Sequence, residues 1–235
     1  MKPGNIYLIP SPISEKNPEE FIALVSKELI RKVDLYYVEN IRTTRRFFST
    51  IGIKNIENIQ FEILHKDTSS KEIDHLIQII KNGRTAGLLS EAGCPGIADP
   101  GSAFILAAHR ANIRIIPLPG PSSIFMALMA SGLKGQRFVF HGYLPIDKKV
   151  RKNKIRELEM QSKNLDQTQI FMETPYRNRQ LVQRLLEYLN DTTLLSIASD
   201  ITGKNEFIQT KSIGDWKKKV PDLHKKPTIY LISNG

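Results

Sequence analysis

The sequence predicts an α/β protein made of two α/β domains, and three observations support this. The chain has 235 residues, enough for one large domain or two of ordinary size, and 40% of them are apolar. Short apolar runs alternate with stretches whose apolar residues recur at helical spacing, which is typical of a mainly parallel sheet covered on both faces. The pattern changes around PLPGPSS, so we predict domains over residues 1–118 and 119–235.

Five apolar runs in the first half predict strands, and they cover residues 5–9, 33–38, 61–64, 85–89 and 113–118. The helices predicted between them cover residues 18–32, 43–52, 70–82 and 101–111. In the first of these helices Phe21, Leu24, Val25 and Leu29 recur at helical spacing, and Pro18 suits a first turn.

The second half also alternates, but it includes an antiparallel pair of strands. The strands at 194–200 and 206–211 are separated only by ITGKN, a short turn-like link. The other predicted strands carry RFVFHGYL, QTQIFMET and TIYLIS, and helices are predicted near 149–162 and 178–190.

The net charge of +10 is distributed unevenly. Residues 1–118 hold 15 Lys or Arg against 13 Asp or Glu, whereas residues 119–235 hold 19 against 11. The segment KKVRKNKIR at 148–156 places six basic residues in nine positions without an acid. Such a run is either a solvated helix face or a surface that binds a polyanion such as RNA.

Several classes of protein are disfavoured by the sequence. No apolar run approaches the length of a membrane span, and the first residues lack the pattern of a signal peptide. The single cysteine, Cys94, excludes an intrachain disulfide and a cysteine-cluster metal site. We therefore expect a cytoplasmic protein without a membrane segment or a metal.

The segment LLSEAGCPGIADPGS at 88–102 interrupts the alternation with three Gly and two Pro. It follows a buried-type strand, and ligands of open α/β sheets bind beyond the carboxyl ends of the strands. Glycines let the main chain approach a ligand closely, while Pro95 and Pro100 stiffen the loop. The segment lacks G-x-G-x-x-G and a P-loop lysine, which disfavours a nucleotide-phosphate site. Taken alone, the segment favours an ordinary long connection over a ligand-binding loop.

Five further segments surround this loop in a defined order: IYLIPSPI (6–13), VDLYYVENIRTTRRFF (33–48), RIIPLPGPSSIFMALMASGL (114–133), FHGYLPIDKKVRKNKIREL (140–158) and IFMETPYR (170–177). Together they resemble the tetrapyrrole methylase superfamily of S-adenosylmethionine-dependent methyltransferases over nearly the whole chain. The resemblance is closest to its ribosomal RNA small subunit methyltransferase I branch, which 2′-O-methylates a cytidine ribose in 16S RNA. It implies two α/β domains, S-adenosylmethionine in the cleft between them, and a homodimer.

The resemblance also implies a methyl-donor site that takes residues from both domains. By position these residues are Ile9, Pro10, Glu91, Gly93, Cys94, Pro95, Ser122, Ser123, Met172 and Thr228. We expect Glu91 to accept hydrogen bonds from a hydroxyl or amine of the donor. The two serines stand where a helix begins, so they either bind the donor or cap that helix. Cys94 is interpreted as a small loop residue rather than a nucleophile.

Ribosomal RNA or the small ribosomal subunit is the partner that the resemblance implies, and the RNA-binding residues expected are Arg42, Lys148, Lys149, Arg151 and Lys152. The chain departs from the branch at several positions. Ser14, Glu15 and Lys16 replace Gly-Asn-Leu, SEAGCP replaces S-D-A-G-T-P, and Asn40 replaces an acid. The loss of that charge excludes Asn40 as a general base.

No catalytic residue is assigned from the sequence. A ribose hydroxyl would benefit from a base, and Glu39, Glu173 and His141 are candidates by position. Arg177 either pairs with Glu173 at a spacing of i, i+4 or contacts the substrate. Two alternatives to an RNA methyltransferase stay open. The basic run argues against a methyltransferase for a small molecule such as a tetrapyrrole, while the departures at 14–16 and Asn40 leave a non-catalytic relative open.

Overall fold

The computed structural model describes residues 2–14 and 20–234. The chain divides into two compact units, Met1–Ser122 and Ser123–Gly235, which we call the N-terminal and C-terminal units. The predicted boundary after residue 118 lies four residues before this division. Residues 119–122 fall with the N-terminal unit, and the helix that starts at Ser123 packs on the sheet of the C-terminal unit.

The N-terminal unit is a five-stranded parallel sheet with helices on its faces. Its strands are β1 (Asn5–Ile9), β2 (Leu35–Val38), β3 (Gln60–Ile63), β4 (Ala86–Leu89) and β5 (Arg114–Pro117). Its helices are α1 (Leu24–Ile30), α2 (Ile41–Thr50), α3 (Ser70–Lys81) and α4 (Gly101–Arg110). The strand order is β3-β2-β4-β1-β5 and every pair is parallel, which confirms the predicted type of sheet.

The core of this unit lies on both faces of the sheet. All four residues of β2 and of β4 are buried, as expected for the central strands of a parallel sheet. On one face the rings of Tyr37 and Phe104 lie 4.6 Å apart, and on the other Tyr36 meets Phe48 at 5.0 Å. Because adjacent residues of a strand point to opposite faces, the Tyr36-Tyr37 pair supplies both layers.

The first helix differs from its prediction over 18–32. The helix described begins at Leu24, and the predicted first turn at Pro18 lies outside the described residues. Leu24 and Val25 are 80% and 49% exposed, so the predicted apolar stripe was wrong at these positions. Instead, Ser26 and Ile30, one helical turn apart, face the core.

The C-terminal unit is a mixed sheet of five strands. Its strands are β6 (Phe138–Tyr143), β7 (Thr168–Glu173), β8 (Leu194–Ser199), β9 (Phe207–Ser212) and β10 (Thr228–Ser233). Its helices are α5 (Ser123–Ser131), α6 (Lys148–Leu165), α7 (Asn178–Tyr188) and α8 (Ile213–Trp216). The order is β6-β7-β10-β8-β9, with β6 parallel to β7 and the remaining neighbours antiparallel. The predicted antiparallel pair, β8 and β9, is confirmed.

The central strand of this sheet, β10, is buried at all six positions. Tyr230 stacks on Phe171 of β7 with ring centroids 5.8 Å apart. Trp216 is 1% exposed, and its indole N–H donates to the carbonyl of Leu195 at 2.8 Å, which satisfies its buried polar atom. Among the helices described in either unit, none is long and apolar enough to cross a membrane.

Candidate functional site

The carboxyl ends of the parallel strands in the N-terminal unit all meet one edge of the sheet. At this edge the loops after β1 and β4 are joined by an isolated bridge between Ser11 and Gly93. Each residue donates its N–H to the carbonyl of the other, at 2.9 and 3.0 Å. The Ser11 hydroxyl also donates to the Ser90 carbonyl at 2.8 Å. These bonds fix the two loops to each other.

The loop after β4 is held in shape by Asp99. Its carboxylate accepts the N–H groups of Gly96 and Gly101, at 2.6 and 2.9 Å. Burial raises the pKa of Asp99, although these two hydrogen bonds oppose the rise. Positive φ angles of 74° at Gly93 and 59° at Ala98 complete the turns. Sequence reasoning missed Asp99, whose signal was its position before Pro-Gly at the start of α4.

The loop after β5 reaches the same edge. A side chain at Gly120 would place its Cβ 2.3 Å from the Cβ of Pro10, so only glycine permits this approach. The Cys94 thiol donates to the carbonyl of Pro121 at 3.4 Å. Burial, with a smaller effect from Asp99, raises the pKa of the Cys94 thiol. A protonated thiol is a poor nucleophile, which agrees with the interpretation of Cys94 as a small loop residue.

The donor residues expected in this unit do not all present side chains at the edge. Ile9 is fully buried in the core, so only its main chain can reach the edge. Gly93 has both main-chain groups bonded to Ser11, and Pro95 is buried. Glu91 is exposed, whereas Ser122 is 9% exposed. Ser123 is the first residue of α5 and of the C-terminal unit. Their roles toward a donor stay predictions.

A cavity of about 430 Å³ opens at this edge between β1, β2 and β4. Three segments surround it: the loop after β1, the helix α2 with its cap and the residue before the cap, and the start of the loop after β4. Of the departures from the branch pattern, Ser14, Asn40 and Glu91 line this cavity, while Glu15 and Lys16 lie outside the described residues. The lining residues are Ser11–Ser14, Glu39, Asn40, Arg42–Thr44, Arg46, Phe47, Thr50 and Ser90–Ala92.

The two residues after β2, Glu39 and Asn40, make different contacts. Glu39 is half-buried, and its Oε1 accepts the N–H of Glu91 at 3.1 Å. Burial raises the pKa of Glu39; the hydrogen bond opposes this, and the charges of Asp99 and Glu91 add to it. Asn40 instead caps α2, since its Oδ1 accepts the N–H groups of Arg42 and Thr43 at 2.9 and 3.2 Å. Its side-chain oxygen therefore has a structural partner.

In the C-terminal unit, Met172 and Thr228 lie near the end of β7 and the start of β10. Met172 is half-buried and pairs across the sheet with Ile229. Thr228 is 3% exposed; its hydroxyl accepts from the Asn178 amide at 3.2 Å and lies 3.1 Å from the Ser199 hydroxyl. The hydroxyl of Thr228 therefore belongs to a buried network, and the role of either residue toward a donor stays a prediction.

The three candidate bases are in unlike environments. The side chain of Glu173 is 1% exposed and lies 2.7 Å from Arg177 Nη2, which confirms the ion-pair interpretation of these two residues. His141 Nε2 lies 2.7 Å from Gln169 Oε1. Glu39 Oε2 has no hydrogen-bond partner within the described ranges, and Glu39 alone of the three lines the cavity. Among the described residues there is no group of three or more His, Cys, Asp or Glu side chains that could hold a metal ion.

The basic run forms the start of α6, and one of its residues is not on the surface. Lys148 and Lys149 are exposed, while Lys152 is half-buried with its ammonium 5.3 Å from the ring of Tyr188. Arg151 is 2% exposed, which argues against a contact between its side chain and RNA. The buried positions of α6 recur at 151, 155, 158 and 162, which places Arg151 on the stripe that faces the sheet.

Known proteins resemble this chain in sequence over most of its length. The family Tetrapyrrole (Corrin/Porphyrin) Methylases matches residues 17–216. Ribosomal RNA small subunit methyltransferase I of Buchnera aphidicola subsp. Schizaphis graminum (strain Sg) is 32% identical over 237 residues, covering 100% of this chain and 79% of that protein. The protein of the same name from Escherichia coli O157:H7 is 28% identical over 232 residues, covering 97% and 77%.

Solved structures share the fold at lower identity. The methyltransferase CobJ aligns with a TM-score of 0.66 and 17% identity, covering 99% of this chain and 95% of that one. Uroporphyrin-III-C-methyltransferase from Thermus thermophilus aligns with a TM-score of 0.56 and 18% identity, covering 98% and 92%. The α/β fold is thus one found in methyltransferases. The chain belongs to the tetrapyrrole methylase family, as the sequence resemblance indicated, and is an S-adenosylmethionine-dependent methyltransferase.

Proposed function

We propose that this protein transfers the methyl group of S-adenosylmethionine to a ribose 2′-hydroxyl of 16S ribosomal RNA. The observation that carries the proposal is the set of relatives named ribosomal RNA small subunit methyltransferase I, which align with 97–100% of this chain. Their name gives small-subunit ribosomal RNA as the substrate. The ribose hydroxyl and the homodimer come from the sequence resemblance, and the cytoplasmic location comes from the single cysteine. All three belong to the same proposal.

The charge and shape of the N-terminal edge suit the donor. S-adenosylmethionine carries a sulfonium and an ammonium, and the carboxylates of Glu91 and Asp99 lie at this edge. Its sulfonium is already an activated leaving group, so the reaction calls for alignment and partial exclusion of water rather than a metal. We propose that the donor contacts Pro10, Glu91, Gly93, Cys94, Pro95, Ser122 and Ser123, the main chain at Ile9, and Met172 and Thr228 of the C-terminal unit.

The proposed RNA surface lies on α6. Its first turn presents Lys148 and Lys149 to solvent, and residues 119–235 carry 19 basic against 11 acidic residues. A one-sided excess of this kind attracts the phosphates of ribosomal RNA or of the small subunit. Lys152 also belongs to this proposed surface, and its ammonium lies over the ring of Tyr188. The buried Arg151 is left out.

Methyl transfer from donor labelled on its methyl group tests the function. Small subunits, free 16S RNA and a tetrapyrrole should be incubated separately with the purified protein. Label should enter the RNA, and the modified position should resist alkaline cleavage, because a methylated 2′ oxygen cannot attack the neighbouring phosphate. Label in the tetrapyrrole alone would overturn the RNA substrate. Tight donor binding without transfer to any acceptor would favour a non-catalytic relative.

The contribution of α6 has its own test. Changing Lys148 and Lys149 to Ser should weaken RNA binding while leaving donor affinity unchanged. Each lost phosphate contact should reduce the slope of log affinity against log salt by about 0.7–0.9. Matched changes at Lys204 and Lys219, which are exposed in the same unit, should have little effect. Equal losses in the two double variants would mean that α6 is only a solvated face.

A further inference from the structure

The cavity at the N-terminal edge has a cationic wall formed by α2. This helix, IRTTRRFFST, has three arginines and no acid. Arg42 and Arg46 stand four residues apart, so they share one face, and both line the cavity. Arg45 is directed elsewhere, with its guanidinium 5.4 Å from the ring centroid of Phe61. Guanidinium groups are well suited to phosphate oxygens, which they bind in a bidentate manner.

The same cavity offers an apolar and aromatic surface. The half-buried ring of Phe47 lines it together with Pro12 and Ile13. Single-stranded bases stack on aromatic rings of this kind, and proteins that read RNA take splayed nucleotides into such sites. Its volume of about 430 Å³ lies within the range of small-ligand sites, which is a suitable size for one nucleotide.

Glu39, the residue before the cap of α2, lines the same cavity. One carboxylate oxygen is held by the Glu91 N–H at 3.1 Å, which fixes the orientation of the group. The other oxygen has no partner among the residues that the structure describes. Glu91 lines the cavity as well and belongs to the proposed donor site, so the cavity adjoins the place proposed for the methyl donor. The raised pKa of Glu39, caused first by its burial, makes the ionised carboxylate a better proton acceptor.

We propose that this cavity binds the nucleotide that is methylated, with Arg42 and Arg46 on its phosphates, Phe47 under its base and Glu39 as the acceptor of the hydroxyl proton. The inference rests on the proposed function and identifies the part of the chain that holds the RNA substrate. It also selects one of the three candidate bases, since Glu173 is paired with Arg177 and His141 lies against Gln169.

Methyl transfer to the ribose hydroxyl is a substitution at the methyl carbon. The hydroxyl oxygen forms a bond to that carbon while the carbon–sulfur bond breaks. The electron pair of the broken bond stays on sulfur, and the sulfonium becomes a neutral thioether. The hydroxyl proton passes to the open oxygen of Glu39 and from there to solvent. No oxidant, reductant or metal takes part in this step.

Glu39→Gln and Glu39→Asp test the proton acceptor. In single turnovers on small subunits, Glu39→Gln should lower the rate of methyl transfer by about 100- to 10,000-fold, the usual contribution of a general base. Donor and RNA affinities should stay at parent values, which also shows that the variant folds. The parent rate should fall as pH falls through a pKa above the ordinary value for Glu. Glu39→Asp should keep this dependence at a lower rate, and Glu39→Gln should lose it.

Arg42→Ala, with Arg45→Ala as the matched control, tests the phosphate site. Loss of a charged hydrogen bond of about 1.5–3 kcal/mol should weaken RNA binding by about 10- to 150-fold. The salt slope should fall by about 0.7–0.9, and donor affinity should not change. Arg45→Ala should bind RNA as the parent does, since its guanidinium lies over Phe61 outside the cavity.

The outcomes separate this inference from the proposed function. A parent protein that methylates no RNA overturns both. A parent that methylates RNA, with Arg42→Ala matching Arg45→Ala, overturns the assignment of the cavity alone. A parent rate in Glu39→Gln, or an unchanged pH dependence, overturns the role of Glu39 as proton acceptor while leaving the methyltransferase activity in place.

Discussion

Replacing Gly93 with alanine probes the proposed donor loop through its backbone. The φ angle of Gly93 is +74°, in the left-handed region. The nearest atoms to an added Cβ would be Ile13 Cγ2 at 3.7 Å and the Pro121 carbonyl at 3.8 Å, both ordinary contact distances. The methyl group therefore has room, and the remaining cost is about 1–2 kcal/mol for a left-handed L-residue.

Gly52 provides a matched control in the same unit. Its φ angle is also +74°, and an added Cβ would have no atom within 4 Å. Gly52→Ala and Gly93→Ala should therefore lower the free energy of unfolding of the N-terminal unit by similar amounts. For a chain of this size, each kcal/mol corresponds to a fall in melting temperature of about 2–4 °C. Only Gly93 lies in the loop proposed to hold the donor.

The two variants should differ in donor affinity. In Gly93→Ala, the loop can relieve its strain by giving up the two hydrogen bonds to Ser11, and donor binding must restore them. If the full 1–2 kcal/mol is recovered in this way, affinity for S-adenosylmethionine falls by about 5- to 30-fold. Isothermal titration with the donor and its demethylated product measures the difference. Parent affinity in a destabilised Gly93→Ala would refute the donor loop, and parent stability would refute the backbone argument.

Three further predictions concern single side chains. Arg177→Leu leaves the buried carboxylate of Glu173 without its cation, so urea unfolding should show a loss of about 2–3 kcal/mol, less than for a fully buried pair because Arg177 is 30% exposed. An unchanged unfolding curve would contradict this. Arg151→Met should leave the salt slope of RNA binding unchanged, and a fall like that of the Lys148 and Lys149 variant would return Arg151 to the RNA surface. Because partial burial raises the pKa of Cys94, iodoacetamide should modify it more slowly at neutral pH than it modifies an unhindered thiol. A rate equal to that of an unhindered thiol would contradict the half-buried placement of Cys94.

The sequence predicted the larger part of the fold because its signals are local. Strand β10 has the predicted bounds, and α3 begins at the predicted residue after a capping box between Ser69 and Glu72. Alternation of strands and helices was enough to predict a parallel sheet, and a Gly- and Pro-rich loop after β4 indicated the edge at which we propose that the donor binds. These features depend on the spacing of apolar residues and on backbone preferences, which can be read along the chain.

The positions of single side chains were decided only by tertiary packing. In the sequence Arg151 is one more cation of KKVRKNKIR, yet its position on the inner stripe of α6 buries it. Leu24 is exposed because it lies off the inner face of α1, which is formed by Ser26 and Ile30. Two glutamates and one histidine were equal candidates for a base in the sequence. The structure separates them, because Glu173 is paired with Arg177 and Glu39 lines the cavity. The sequence fixes which groups are available, whereas burial and partners depend on elements that are distant in the chain, so only the folded structure decides which groups are free to act.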